Sequence, residues 1–233
     1  MTRIIQRNRS LIPACDVDLR RFLSILEGTK DIDEVGGYKI GFRLALSKGL
    51  PEIVKWARDH TDKPLIYDHQ KAATDIPDTG KSFAEVVKNA GIDAVILFPQ
   101  AGPATEEAWI KAAQDLELGV IVGGKMTHSE FLESEGGYIA DNQVKIMYQV
   151  AADLGVEDFV VPGNDSGFIG EVRIMLERMN VDPTFYAPGF VAQGGVISDG
   201  AKAAGKRFHA IVGRGIYNAE DMRQVTLDLA SQL

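Results

Sequence analysis

The chain has 233 residues, of which 45% are hydrophobic and 25% are charged, and this balance predicts a folded α/β protein rather than a disordered one. Its formal net charge of −8 is unlike the basic surface of a nucleic-acid binder, so we expect no nucleic-acid partner. It contains no run of about 18 apolar residues, and its N-terminus lacks the apolar segment of a secretory signal, so we expect no membrane association. The one cysteine, Cys15, lies in an apolar run, which predicts an inert buried thiol and a reducing, cytoplasmic location.

Eight short apolar runs, rich in valine and isoleucine, recur along the chain with helical segments between them. They are continuous rather than alternating, as is typical of strands buried on both faces. The runs cover residues 11–16, 38–42, 64–68, 94–98, 119–122, 158–161, 184–187 and 209–212. The helical segments with the clearest pattern cover residues 83–90, before a C-terminal Gly91, and residues 106–116, 143–152 and 169–179.

Eight β-then-α units in this length predict one α/β domain over residues 1–233, a single (βα)8 TIM barrel. An open doubly wound sheet is the alternative, but no Gly-x-Gly-x-x-Gly turn follows the first predicted strand. In a barrel the active site lies at the C-terminal strand ends, so polar residues there converge on one mouth. The residues at these ends are Asp16, Lys39, Asp68, Lys71, Gln100, Thr127, His128, Pro188, Gly213 and Arg214.

Charged residues gather where the third predicted strand ends. Residues 68–79 read Asp-His-Gln-Lys-Ala-Ala-Thr-Asp-Ile-Pro-Asp-Thr, directly after an apolar run. Lys39 lies inside another apolar strand, where an isolated ammonium is costly, and Asp68 and Lys71 are plausible partners. A structural ion pair would explain Lys39 alone. Two lysines clustered with Asp68 and Asp75 favour a catalytic array of alternating charge.

The last two predicted strands are followed by glycine-rich loops. Residues 188–195 read Pro-Gly-Phe-Val-Ala-Gln-Gly-Gly, and residues 213–215 read Gly-Arg-Gly. Glycine lets backbone N–H groups approach an anion closely, and Arg214 adds a charged bidentate donor. Tight turns alone would explain the glycines. The signal in both loops, with an arginine between two glycines, favours a phosphate site, which barrels often build at this position.

These residues resemble the orotidine 5′-phosphate decarboxylase family over nearly the whole chain. The matching pieces are Asp16, Tyr-Lys-Ile-Gly at 38–41, Asp…Lys…Asp-Ile-Pro-x-Thr at 68–79, Met-Thr-His at 126–128, Pro-Gly-x3-Gln-Gly-Gly at 188–195 and Val-Gly-Arg at 212–214. The resemblance implies decarboxylation of orotidine 5′-phosphate to UMP, in pyrimidine biosynthesis, without a metal or other cofactor.

The resemblance also implies a role for each matching residue. The catalytic residues would be Lys39, Asp68, Lys71 and Asp75. Asp68 would face the substrate carboxylate, Lys71 would stabilise and protonate the carbanion, and Lys39 would order Asp68. A second subunit of a homodimer would supply Asp75, with Ile76 and Thr79 beside it. The substrate-binding residues would be Asp16 at the ribose, Thr127 at the pyrimidine, and Pro188, Gln193, Gly213 and Arg214 at the phosphate end.

The spacing of the charged motif departs from the family. The family has Asp-x-Lys-x-x-Asp, whereas here Asp68, Lys71 and Asp75 are separated by one more residue in each interval. Residues three apart on an extended strand point to opposite faces, so we predict a turn or bulge at His69 and Gln70. Two other functions stay open: a metal-dependent sugar-phosphate decarboxylase or aldolase of the same superfamily, and a non-catalytic phosphoribosyl-ligand-binding paralogue.

Overall fold

The strands of the chain form one closed barrel. The computed structural model describes residues 3–69 and 75–233, and eight parallel strands follow one another around the barrel in chain order. The strands are β1 (Arg9–Cys15), β2 (Tyr38–Ile40), β3 (Leu65–Asp68), β4 (Ala94–Leu97), β5 (Gly119–Gly123), β6 (Asp158–Val160), β7 (Thr184–Pro188) and β8 (Arg207–Val212). Each predicted run overlaps one of them, so the prediction of a (βα)8 TIM barrel is confirmed.

Helices connect the strands and surround the barrel. They are α1 (Leu19–Thr29), α2 (Phe42–Lys48), α3 (Leu50–Arg58), α4 (Thr79–Asn89), α5 (Pro103–Asp115), α6 (Asp141–Asp153), α7 (Ser166–Arg178), α8 (Ile197–Ala204), α9 (Arg214–Tyr217) and α10 (Met222–Ala230). The four segments predicted as helical correspond to α4, α5, α6 and α7. Gly91 follows α4 with φ of +84°, the left-handed conformation in which glycine commonly ends a helix. In the described part of the chain, no helix is long and apolar enough to cross a membrane.

Two apolar layers hold the fold together. Residues such as Ile12, Ile66 and Ile121 fill the barrel interior, while a larger cluster packs the outer faces of the strands against the helices. This two-sided burial explains why the strands read as continuous apolar runs. In the strand register Lys39 pairs with Ala14 on one side and Ile66 on the other, so a charged residue lies within the barrel wall.

The strand that leads into the charged motif ends where the sequence predicts. β3 ends at Asp68, and His69 lies outside the strand. Gln70 and Lys71 fall outside the described residues, so the predicted turn or bulge at His69 and Gln70 remains a prediction.

Candidate active site

A cavity of about 310 Å³ opens at the C-terminal mouth of the barrel. Its walls come from strand ends that are far apart in sequence, as expected for the functional face of this fold. Seven of the predicted site residues line it: Asp16, Lys39, Thr127, Pro188, Gln193, Gly213 and Arg214. The fold therefore brings the ends of β1, β2, β5, β7 and β8 to one ligand-sized space, within the usual volume range of small-molecule sites.

Lys39 and Asp16, on one side of the cavity, belong to a buried cluster of charges whose third member, Asp68, is not among the residues that line the cavity. The Lys39 ammonium donates to a carboxylate oxygen of Asp68, and it lies 3.2 Å from Asp16 Oδ2. The side chains of Lys39 and Asp68 are 6% and 2% exposed, whereas that of Asp16 is 36% exposed. Burial opposes the charged form of Lys39, but Asp68 and Asp16 outweigh it and raise the pKa of Lys39 above its usual value. The cluster is thus a fixed cation between two carboxylates.

Gly41 makes room for this cluster. It immediately follows β2 and is the N-cap of α2, with the carboxylate of Asp16 directly against it. A Cβ atom at this position would overlap the Asp16 carboxylate, so a side chain here would push Asp16 away from Lys39. The glycine in the Tyr-Lys-Ile-Gly run therefore has a steric role in the site.

The opposite side of the cavity is formed by the loop after β7. Gly189 has φ of +109°, and a Cβ atom there would lie 3.2 Å from both Gln193 Oε1 and Thr127 Cγ2. The Gly195 N–H donates to the Gly189 carbonyl at 3.1 Å, which closes the loop on itself. Gln193 and Thr127 thus both approach Gly189, whose backbone conformation and lack of a side chain favour glycine at this position.

The loop after β8 lies beside the loop after β7. Val191 takes φ of +62°, which is unusual for a β-branched residue, and a Cβ atom on Gly215 would lie 3.3 Å from its Cβ. Arg214 is the exposed first residue of α9 and lines the cavity. The ring of Tyr217 covers Gly213, where an added Cβ would lie 3.3 Å from Tyr217 Cε1. Both predicted phosphate loops therefore border the same end of the cavity.

The other part of the predicted catalytic motif faces outward. Asp75 and Ile76 are exposed, and Thr79 begins α4. The Thr105 hydroxyl donates to the Asp75 carbonyl at 2.8 Å, and Trp109 Nε1 donates to the Ile76 carbonyl at 3.1 Å. These bonds tie the segment to α5, away from the described lining of its own chain's cavity. Lys71 lies outside the described residues.

Two polar cavity residues were missed by the sequence reasoning. Lys125 follows β5, and its ammonium lies 2.9 Å from Asp165 Oδ2 and over the ring of Phe168. Burial opposes the charged form of Asp165, but the hydrogen bond from Lys125 prevails and lowers the pKa of that carboxyl. Tyr217 is the other missed residue. Both stand next to motifs that were noticed, at 126–128 and 212–214, so extending each motif by a few residues would have found them.

The histidine and cysteine near the charged cluster are packed rather than exposed. His69 lies 4.3 Å, between ring centroids, from Phe83, and burial lowers its pKa. Cys15 is fully buried, as predicted, and burial raises the pKa of its thiol. Among residues 3–69 and 75–233, no group of three or more His, Cys, Asp or Glu side chains is arranged to hold a metal ion.

The fold and cavity define a (βα)8 barrel protein with a charged small-molecule site at its C-terminal mouth. Residues 9–228 match the family described as "Orotidine 5′-phosphate decarboxylase / HUMPS family". The chain is 33% identical to an orotidine 5′-phosphate decarboxylase of Methanosarcina mazei, over 98% of this chain and 97% of that protein. The corresponding Methanosarcina barkeri protein is 32% identical, over 98% and 96% of the two chains.

A solved structure agrees with the sequence relatives. The orotidine 5′-monophosphate decarboxylase of Methanocaldococcus jannaschii, complexed with the inhibitor BMP, superimposes with a TM-score of 0.84 at 27% identity. The match covers 97% of this chain and 99% of that one. The chain therefore belongs to the orotidine 5′-phosphate decarboxylase / HUMPS family.

Proposed function

We propose that this protein decarboxylates orotidine 5′-phosphate to UMP without a metal or other cofactor. The observation that carries the proposal is the Lys39 ammonium, held between Asp68 and Asp16 at the edge of a cavity whose other end is formed by two glycine-rich loops. Family membership over residues 9–228 and full-length relatives named as this enzyme support the same reaction.

The proposed orientation of the substrate follows from the charges. The phosphate lies at the end of the cavity that carries Gln193 and Arg214, where Pro188 ends β7 and Gly213 follows β8, because a guanidinium binds phosphate strongly. The ribose hydroxyls face Asp16, and Thr127 reads the pyrimidine. The orotate ring then lies beside Asp68, whose charge Lys39 holds in place. Phosphate binding, remote from the reacting carbon, would hold the substrate carboxylate against this site.

In the proposed reaction the substrate loses one bond at C6 and gains one. The C6–carboxylate bond breaks and releases CO2, and its electron pair stays on C6 because no adjacent group accepts it. Lys71 stabilises this carbanion as an ammonium and then gives it a proton, which yields UMP and a neutral amine. The raised pKa of Lys39 keeps that residue protonated, which suits it to positioning Asp68 rather than to donating a proton.

We propose that the active protein is a homodimer in which Asp75, Ile76 and Thr79 complete the site of the partner. Two observations support this proposal: Ile76 is 59% exposed, and hydrogen bonds from α5 hold the segment that begins at Asp75 on the outside of the barrel. Subunit mixing tests the proposal. Asp75→Ala and Lys71→Ala are each inactive, but an equal mixture regains about a quarter of wild-type activity, because half of the dimers are mixed and each has one intact site. A mixture as inactive as its components would contradict the shared site.

The proposed reaction is tested by following the absorbance of orotidine 5′-phosphate with the purified protein in the presence of EDTA, beside Lys71→Ala. We expect turnover by the wild type and its loss in the variant. UMP binding without turnover would identify a ligand-binding paralogue instead. Activity on a sugar phosphate that disappears with EDTA would identify a metal-dependent enzyme. Wild-type rates in Lys71→Ala would remove the proposed proton donor.

We further propose that residues 1–233 form one domain in the cytoplasm. The closed barrel, whose strands extend from residue 9 to residue 212, supports one domain. A single buried cysteine suits a reducing compartment.

A further inference from the structure

Arg21 of α1 is hydrogen-bonded to α9, the helix that begins at Arg214, although α1 and α9 lie near opposite ends of the chain. Arg21 Nε donates to the Tyr217 carbonyl at 2.6 Å, and its Nη2 donates to the same carbonyl and to that of Ala219 at 3.3 Å. These carbonyls lie at and just beyond the C-terminal end of α9. The guanidinium thus binds backbone groups that a helix of this kind leaves without intrahelical partners.

The helix that Arg21 holds is too short to be stable alone. α9 has four residues, Arg214–Tyr217, and Ile216 is its one buried residue. A single turn of helix does not persist in water without tertiary support, because nucleation is unfavourable. A cation at its C-terminal end stabilises it, both through hydrogen bonds and through the helix dipole. The position of Arg214 at the cavity therefore depends on contacts made at the other end of this turn.

Arg21 is itself fixed by the loop that follows β1. Asp18 is the N-cap of α1, and its carboxylate accepts a hydrogen bond from the Arg21 backbone N–H at 2.9 Å. Two residues before Asp18 stands Asp16, at the ribose side of the proposed site. A continuous set of contacts thus joins the loop after β1, through Arg21, to the loop after β8.

We propose that Arg21 is a positioning residue for phosphate binding: it holds α9 so that Arg214 and the backbone of Gly213 face the phosphate. The proposal rests on the proposed nucleotide function of the cavity. Arg21 does not touch the ligand in this role. Its loss should therefore weaken ligands that carry a phosphate and leave the same ligands without phosphate unaffected.

A purely structural role for Arg21 makes a different prediction, and the chain offers a matched control. Arg173 of α7 donates from Nε to the Ala203 carbonyl at 2.9 Å, near the C-terminal end of α8. It therefore supports the end of a neighbouring helix in the way Arg21 does, but away from the cavity. Loss of either arginine should lower the melting temperature to a similar degree, whereas only loss of Arg21 should affect phosphate recognition.

The test measures the dissociation constants of UMP and uridine by calorimetry for the wild type, Arg21→Ala, Arg173→Ala, Arg214→Ala and the double variant Arg21→Ala/Arg214→Ala. In Arg21→Ala we expect UMP to bind at least about tenfold more weakly and uridine to change less than about twofold. Arg173→Ala should bind both ligands like the wild type. Arg21→Ala should add little in the Arg214→Ala background, because the phosphate contact that it positions is already lost.

Several results would overturn the inference. These are equal weakening of UMP and uridine in Arg21→Ala, full additivity with Arg214→Ala, or a wild type that binds UMP no more tightly than uridine. If Arg21→Ala does not fold, Arg21→Lys decides the question. A single ammonium cannot reproduce the forked guanidinium contacts, so UMP should weaken about threefold with uridine unchanged. A wild type that prefers UMP but releases no CO2 contradicts the proposed reaction alone.

Discussion

Replacing Lys39 with methionine tests the charged cluster most directly. Methionine keeps a long, flexible apolar side chain but removes the ammonium between Asp68 and Asp16. The side chains of Lys39 and Asp68 are 6% and 2% exposed, so water cannot replace the lost charge at Asp68. Breaking a buried ion pair of this kind lowers the free energy of unfolding by about 3–5 kcal/mol. The pair with Asp16, whose side chain is partly exposed, contributes the smaller part of this loss.

The expected loss of activity follows from the same contacts. If Lys39 holds Asp68 against the substrate, a loss of about 3 kcal/mol corresponds to a fall in kcat/KM of about 100-fold or more. The folded-state pKa of Lys39 is raised, so its contribution to stability is complete below its unfolded pKa of about 10.5 and is lost only as the pH rises through the folded pKa. The titration of Lys39 should therefore add no pH dependence to the stability of the wild type between about pH 6 and about pH 9.

Urea unfolding and steady-state kinetics with orotidine 5′-phosphate measure both effects. The control is Lys145→Met, which removes an ion pair with Glu171 at the same kind of distance, 2.9 Å, but with side chains 46% and 62% exposed. Its loss should cost at most about 1 kcal/mol and leave kcat/KM unchanged. Lys39→Met with near wild-type kcat/KM, or a stability loss no larger than that of Lys145→Met, would refute the role given to the cluster.

Three further predictions concern buried groups around the barrel. Glu106 is 2% exposed and burial raises its pKa to about 8, so the fold is destabilised as the pH rises from about 4.5 through 8. Over that range, the free energy of unfolding of Glu106→Gln in urea should rise relative to that of the wild type by on the order of 3 kcal/mol. Parallel pH profiles of the two proteins would contradict this prediction. Burial lowers the pKa of His209 to about 3, so its neutral form stabilises the fold above about pH 6.5 and this contribution is lost on acidification. The free energy of unfolding of His209→Gln should therefore change less than that of the wild type between about pH 6.5 and pH 4. The same acid dependence in both proteins would be evidence against this role of His209. Gly41→Ala should displace Asp16 and raise KM for orotidine 5′-phosphate about tenfold. The control is Gly170→Ala, where an added Cβ has open space and KM should stay at the wild-type value. Equal KM values for the two variants would argue against the steric role of Gly41.

The order of strands and the face that carries the site could be predicted from the sequence. Continuous apolar runs such as residues 94–98 and 119–122 suit only strands buried on both sides, and eight of them with helices between leave a closed barrel as the economical fold. Polar residues at the ends of those runs then had to share one mouth. The split of the segment after β2 into α2 and α3, at Gly49 with φ of +80°, was not predicted, although α3 is amphipathic, with Ile53, Val54 and Ala57 buried.

The sequence by itself determined the fold, the functional face and the residue types available for chemistry, because hydrophobic periodicity and strand ends are local properties. Only the tertiary structure decided which of these residues meet. It joined Lys39 to both Asp16 and Asp68, directed Asp75 and Ile76 outward, and connected Arg21 to the carbonyl of Tyr217. Such contacts depend on which elements distant in the chain lie side by side and on how the helices dock, and a pattern within one element does not encode either of these.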